Sequence, residues 1–178
     1  MTAENATLLL DCGFTSVFSA GSLRARMDIA VSDAIEAGRM SGPRLRASSP
    51  AFVSSGGLGD DRKLHSDRNP VVLLVDGADE MRRVARVMVR EGVDSIKVNV
   101  SDDPGMRTGA DMLAYTEAEV AAVAEVALYH GLNLTCHARG RESVKLAAKL
   151  GFNAIFHCDF AHEEALDALE ARKDTVFL

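Results

Sequence analysis

One junction recurs four times along this chain: a helix-like stretch ends in glycine, and an apolar residue and a short strand-like run follow. The copies begin at Gly13, Gly92, Gly131 and Gly151. Glycine just beyond a helix adopts a left-handed conformation without a steric penalty, so each copy indicates a tight connection from helix to strand. Repeated connections of this kind imply βαβ crossovers and a parallel sheet. The sequence therefore predicts an α/β protein.

The alternation of side chains in these runs distinguishes a barrel from an open sheet. We assign Ser95, Lys97, Asn99, Asn133, Thr135, His137 and His157 to a polar face, and Ile96, Val98, Val100, Leu134, Cys136, Ala154, Phe156 and Cys158 to an apolar face. An open parallel sheet covered by helices on both sides is apolar on both faces. One polar face favours a TIM-type (β/α)8 barrel, with the apolar face toward the outer helices and a site inside. The barrel is incomplete in this chain.

Composition excludes several classes of protein. With 178 residues the chain suits a single domain, and its net charge of −6 argues against a surface for nucleic acid. No apolar run approaches the roughly 20 residues of a transmembrane helix, so we expect no membrane partner. Three cysteines without CxxC spacing argue against a disulfide scaffold or a structural zinc site. A reducing, cytoplasmic location is the default expectation.

Two long connections interrupt the regular pattern. We predict helices over 79–91, from a Thr116–Glu119 capping box to His130, and over 142–150 and 163–172, with a last strand starting near Thr175. Before the first of these helices, 48–76 is glycine-rich and lacks helical periodicity, so it is predicted to be a long loop. A second loop over 101–115 follows the strand that carries Lys97. Loops after barrel strands are where such enzymes build their sites.

Lys97, His137 and His157 are the candidate site residues, because each lies near the end of a strand on the assigned polar face. A lysine inside a barrel is costly unless it is paired, neutralised or modified, and imidazole is a common metal ligand. Arg139 would reach the mouth of the barrel, where its planar guanidinium suits a substrate carboxylate, or it pairs with acidic surface residues. His65, in the long loop, is a further candidate for substrate contact.

Six segments, in this order along the chain, resemble the metal-dependent amidohydrolase superfamily, in the branch near imidazolonepropionase and the Xaa-Pro or Xaa-Arg dipeptidases. They are 13–17, 34–45, 56–60, 92–98, 136–140 and 155–157. The resemblance implies that Lys97 is a carboxylated, catalytic lysine bridging two metal ions, expected to be zinc, and that His137 and His157 bind one of them. It also implies hydrolysis of an amide or related C–N bond of a small molecule by a metal-activated hydroxide.

The family's His-x-His pair on the first strand and aspartate on the eighth are not found in this sequence. The resemblance therefore implies that residues 1–178 are the central part of one barrel, about strands 2 to 7. Two alternatives stay open. The segment is catalytically inert without those ligands, or Lys97 is the Schiff-base nucleophile of an aldolase-like barrel. We expect a homo-oligomer, because open strand edges associate.

Overall fold

The computed structural model describes residues 3–65, 71–106 and 108–178, which fold into alternating helices and strands. In chain order these are α1 Ala3–Asp11, β1 Ser16–Phe18, α2 Met27–Glu36, β2 Arg44–Arg46, β3 Phe52–Val53, β4 Leu73–Leu74, α3 Ala78–Glu91, β5 Ser95–Asn99, α4 Glu117–His130, β6 Asn133–Gly140, α5 Arg141–Lys149, β7 Ala154–Phe160 and α6 Glu163–Glu170. The predicted α/β class is confirmed.

All pairs of strands in the described part of the chain are parallel. A five-stranded sheet has the order β4-β3-β5-β6-β7, and β1 pairs separately with β2. A bridge between Ser48 and Ser95 connects the chain just after β2 to β5. In the β5–β6 register, Lys97 lies opposite Thr135 and Asn99 lies opposite His137. The carboxyl ends of these strands therefore lie side by side at one edge, as in a parallel barrel.

The helices cover one face of the sheet and bury the core against it. Predicted helices begin and end within two residues of the observed ones, and the capping box at Thr116 and Glu119 is present at the start of α4. Gly92 and Gly131 cap α3 and α4 in the left-handed conformation. The core between strands and helices includes Ile96, Val98, Leu134, Cys136, Ile155, Val120, Val123, Val144 and Phe152. No helix among the described residues is long and apolar enough to span a bilayer.

Two sequence predictions need correction. The predicted loop over 48–76 contains β3 and β4, whose paired residues are Phe52 with Leu73 and Val53 with Leu74. Strands of two residues are too short to produce a readable periodicity, which is why the sequence pattern missed them. Near the end of the chain, the predicted strand is a single bridge between Phe177 and Ala154 rather than a strand.

Candidate metal centre at the carboxyl ends of the strands

Strands β5 and β6 bring a lysine and a histidine into the interior. Lys97 is 7% exposed and His137 is 5% exposed. Because Val98 and Cys136 alternate with them and pack in the core, both side chains point away from the helices. Buried hydroxyls follow the sheet from Lys97: Thr135 pairs with it, and Ser95 and Ser48 form a bridge two residues earlier on β5. These three hydroxyls have no hydrogen-bond partner among the described residues. Gly21 also lies against the lysine, because a Cβ there would be 3.4 Å from Lys97 Cγ.

Strand β7 differs from the predicted alternation. Phe156 pairs with His137 and its ring lies 4.4 Å from Lys97 Nζ, so it faces the interior rather than the helices, while Ile155 packs in the core. Strict alternation would then turn His157 outward. A bulge prevents this: Cys158 and Asp159 oppose the single residue Arg139.

The backbone at the bulge re-aims His157 into the site. His157 has φ 84° and Cys158 has φ 55°, both in the left-handed region that side chains with a Cβ rarely occupy. The His157 and His137 rings meet edge to face with their centroids 4.4 Å apart. His157, which stays exposed, is thus turned toward His137 at the mouth of the site by a strained backbone, and such strain is concentrated at functional sites.

Both imidazoles are held neutral. Burial, followed by the proximity of His157, lowers the pKa of His137 to about 4. Burial, together with the charges of Arg139 and Lys97, also lowers the pKa of the more exposed His157. A neutral ring has one nitrogen lone pair free to bind a metal ion. The pair is therefore chemically suited to ligation at neutral pH.

Lys97 is a buried amine without an ion-pair partner among the described carboxylates. Burial lowers the pKa of its ammonium group to about 8. The contact with the Phe156 ring is a cation–π interaction, which offsets only part of the cost of burying the charge. Lys97 therefore reaches its neutral, nucleophilic form close to physiological pH.

Arg139 lies at the mouth of the site between two carboxylates. Its Nε lies 2.5 Å from Asp103 Oδ1, and its other side ion-pairs with Asp159 in the bulge. Its predicted contact with a substrate carboxylate stays a prediction. His65 lies at an exposed position of the loop before the undescribed residues 66–70, and its predicted substrate contact likewise stays a prediction.

The donor chemistry of these residues fits a metal ion. Two adjacent neutral imidazoles and an amine that CO₂ can convert into an anionic oxygen ligand form a mixed nitrogen and oxygen set, which suits zinc. In residues 3–65, 71–106 and 108–178, no group of three or more His, Cys, Asp and Glu side chains could hold a metal ion. A third ligand from these residues would therefore have to be a side chain of another type, and the predicted role of Lys97 stays a prediction.

Sequence reasoning missed two aspartates and a phenylalanine. Asp102 is buried and accepts hydrogen bonds from the Leu58 amide, at 2.8 Å, and from the Thr108 hydroxyl. The hydrogen bond to Leu58 links the glycine-rich turn after β3 to the loop after β5. Asp103 contacts His137 and Arg139, and Phe156 contacts Lys97. The acidic pair directly follows the lysine strand, a position that could have identified it.

Comparison with known proteins shows which solved structures this fold resembles. A Xaa-Pro dipeptidase with bound methionine superimposes with a TM-score of 0.86 and 28% identity, over 96% of this chain and 43% of its own. A prolidase complexed with N-methylphosphonate-L-proline gives a TM-score of 0.83 and 26% identity, over 95% and 43%. The structural neighbours are amidohydrolase-superfamily proteins. The family resemblance and the barrel architecture predicted from the sequence are both confirmed.

This chain matches a segment of such amidohydrolases. The ochratoxinase of Aspergillus niger is 25% identical over 159 residues, which cover 80% of this chain and 33% of the ochratoxinase. The chain therefore spans about a third of the length of the curated relative that it matches. No model of a protein family matches the chain.

Proposed function

We propose that this chain contributes the ligands Lys97, His137 and His157 to a metal-dependent hydrolase that cleaves an amide or related C–N bond of a small molecule. The observation that carries the proposal is the meeting of two neutral imidazoles near a buried lysine that has no carboxylate partner among the described residues. The names of the structural neighbours, which include a dipeptidase, a prolidase and an ochratoxinase, support hydrolysis. When bound, the metal would polarise the scissile carbonyl and activate water.

Carboxylation of Lys97 is part of the proposal, and its burial and lowered pKa support it. In its neutral form, Nζ can form a bond to the carbon of CO₂ and lose a proton, which yields a carbamate anion. This modification would replace an unpaired buried cation by an oxygen ligand whose charge a metal ion balances. Phe156, packed beside the amine, limits the access of water to it.

A small molecule with a carboxylate is the substrate class that the site favours. Arg139 keeps part of its side chain, 19%, exposed at the mouth of the site, where a substrate carboxylate could replace Asp159 as its partner. The neighbours' ligands, methionine and N-methylphosphonate-L-proline, are small molecules. A cytoplasmic location, two zinc ions and a homo-oligomeric assembly accompany the proposal as predictions.

Metal content tests the proposal directly. We expect bound zinc in protein purified without chelator, and at least a tenfold loss of zinc affinity in Lys97→Ala, His137→Ala and His157→Ala, because each removes a ligand. Elemental analysis and chelator competition measure this, on the chain and on the complete polypeptide that contains it. The exposed histidines His130 and His162 provide matched controls, since their alanine variants should keep the metal. A complete polypeptide that binds no metal would refute the proposal.

Lys97 also favours a second candidate function, because a desolvated lysine with a pKa of about 8 suits Schiff-base formation with a carbonyl substrate. Borohydride would then trap a covalent adduct at Lys97 in the complete polypeptide, and chelators would leave activity unchanged. The hydrolase predicts the opposite pattern, with chelator-sensitive activity and no trapped adduct. If the segment is catalytically inert, we expect neither chelator-sensitive activity nor a trapped adduct.

A further inference from the structure

The tip of the Lys97 side chain lies over a different strand from its backbone. Lys97 belongs to β5, but its Nζ lies over the ring of Phe156 on β7, 4.4 Å from the ring centroid. Strand β6 runs between them, since Lys97 pairs with Thr135 and Phe156 pairs with His137. Adjacent strands are about 4.8 Å apart, so the lysine side chain extends across β6 to reach the ring.

The aromatic ring is the specific partner of this amine in the part of the chain that the structure describes. Within residues 3–65, 71–106 and 108–178, Lys97 Nζ has no ion pair and no hydrogen bond, and its one close contact is with the face of the Phe156 ring. The face of an aromatic ring attracts an ammonium group. Because lysine has a long and flexible stem, this contact decides where its tip lies.

The fold gives the Phe156 ring a fixed place. The pairing of β6 with β7 is regular from Thr135 to Ala138, and Phe156 lies within this stretch, before the bulge. Its neighbour Ile155 is fully buried in the core against the helices, so Phe156 falls on the interior face of the strand. The position of the ring therefore does not depend on the strained residues that follow it.

The same ring is a common neighbour of all three candidate ligands. Phe156 contacts Lys97, pairs with His137 and directly precedes His157, whose backbone turns its imidazole toward that of His137. The electrostatics agree with this placement, because the charge of Lys97, in addition to burial, contributes to the lowered pKa of both histidines. The amine is therefore within electrostatic range of the imidazole pair.

We propose that Phe156 is a positioning residue, which holds the tip of Lys97 over β7 and so brings its amine to the imidazole pair. The position of the tip stands on the geometry of the chain alone. Its value for metal binding rests on the proposed function, in which a carbamate formed on Nζ supplies an oxygen ligand.

NMR of the lysine side chain in the metal-free chain tests the position of the tip. Protons above the face of an aromatic ring are shifted upfield, so the Hε signals of Lys97 should lie upfield of those of the exposed Lys149. The loss of these signals in Lys97→Met assigns them. Wild-type Lys97 signals at the position of the Lys149 signals would overturn the proposal without any variant of Phe156 being needed.

Variants of Phe156 separate positioning by the ring from general packing. The upfield shift of the Lys97 signals should disappear in Phe156→Leu and remain in Phe156→Tyr, which keeps an aromatic ring. Phe160→Leu is the matched control, because Phe160 lies on the same strand but is 42% exposed, and it should leave the Lys97 signals unchanged. If Phe156→Leu and Phe156→Tyr change the Lys97 signals equally, the ring acts through packing alone and the proposal is wrong.

Zinc and labelled bicarbonate test the consequence for metal binding in the complete polypeptide. In buffer that contains 13C-bicarbonate, Phe156→Leu is expected to weaken zinc binding about 10-fold and to reduce the carbamate carbon signal, because the amine is no longer held at the imidazole pair. Phe156→Tyr and Phe160→Leu should stay near the wild type. Chelator competition measures the zinc affinity, and 13C NMR measures the carbamate.

The two parts of the proposal fail in different ways. Unchanged zinc affinity and carbamate signal in Phe156→Leu would overturn the role of Phe156 in metal binding. A complete polypeptide that binds no zinc, with the Lys97 signals shifted upfield as expected, would instead refute the proposed function and leave the role of Phe156 in positioning Lys97 standing.

Discussion

Phe152→Ala is expected to lower the free energy of unfolding by about 3–5 kcal/mol, the cost of emptying a buried aromatic site. Phe152 is fully buried, at 0% exposure, where the chain passes from α5 to β7. It directly follows Gly151, so it is the apolar residue of one of the four repeated junctions. The loss would be a large part of the total stability of a domain this size.

Phe14→Ala is the matched control, because Phe14 occupies the same place after Gly13 but is 55% exposed. The loss there should be under about 1 kcal/mol, since little apolar area leaves water on folding. Urea denaturation of the chain measures both losses in unfolding free energy. If Phe152→Ala does not fold, Phe152→Leu, which leaves a smaller cavity, can be compared with Phe14→Ala instead. Equal losses at the two positions would show that the junction's apolar residue acts locally rather than through the core.

The sequence predicted the fold class because the junction encodes it locally. A capping glycine and the next apolar residue define where a helix ends and a strand begins, as at Gly92 and Gly131. The strands at 52–53 and 73–74 were not predicted, because they form strands through pairing with each other and not through a sequence pattern of their own.

The candidate site was predicted in part. Alternation placed Lys97 and His137 on the interior face, and the structure agrees because β5 and β6 are regular where they pair. The same rule misplaced Phe156, because it assigned His157 to the interior face and so gave Phe156 the opposite face, whereas Phe156 occupies the interior position and His157 reaches His137 only through the bulge at Cys158 and Asp159. Asp103 was missed because its importance depends on contacts with β6, which lies 36 residues further along the chain at Arg139. Its place just after the lysine strand indicates a site residue, but the contact with Arg139 itself is not encoded in the local sequence.

Lys97→Met is expected to stabilise the metal-free chain by about 1–3 kcal/mol at pH 7, while removing a proposed ligand. The wild type buries an ammonium group without a carboxylate partner among the described residues, and methionine fills a similar volume without that charge. The lost cation–π contact with Phe156 keeps the gain below the full cost of burying the charge. Functional sites often contain groups that lower the stability of the folded protein, as a buried lysine would here.

The pH dependence of this gain identifies its cause. The pKa of Lys97 is about 8 in the folded chain, against an ordinary value of 10.5, so the unfolded state binds more protons between these values. The wild type should therefore gain up to about 3 kcal/mol of stability as pH rises from 8 to 10.5, and its deficit relative to Lys97→Met should close. Below pH 8 the deficit should be constant, because Lys97 is protonated in both states.

Urea denaturation of both proteins across this pH range, in CO₂-free buffer with a chelator, measures the deficit. Lys149→Met is the control: Lys149 is exposed and pairs with Glu117, so its replacement should change stability by less than about 1 kcal/mol and show no closing of the difference in this pH range. If Lys97→Met is the less stable protein at pH 7, the Phe156 ring and the buried hydroxyls near Lys97 stabilise its ammonium group. Lys97 would then lack the driving force for carboxylation, since its charged form would already be satisfied in the interior.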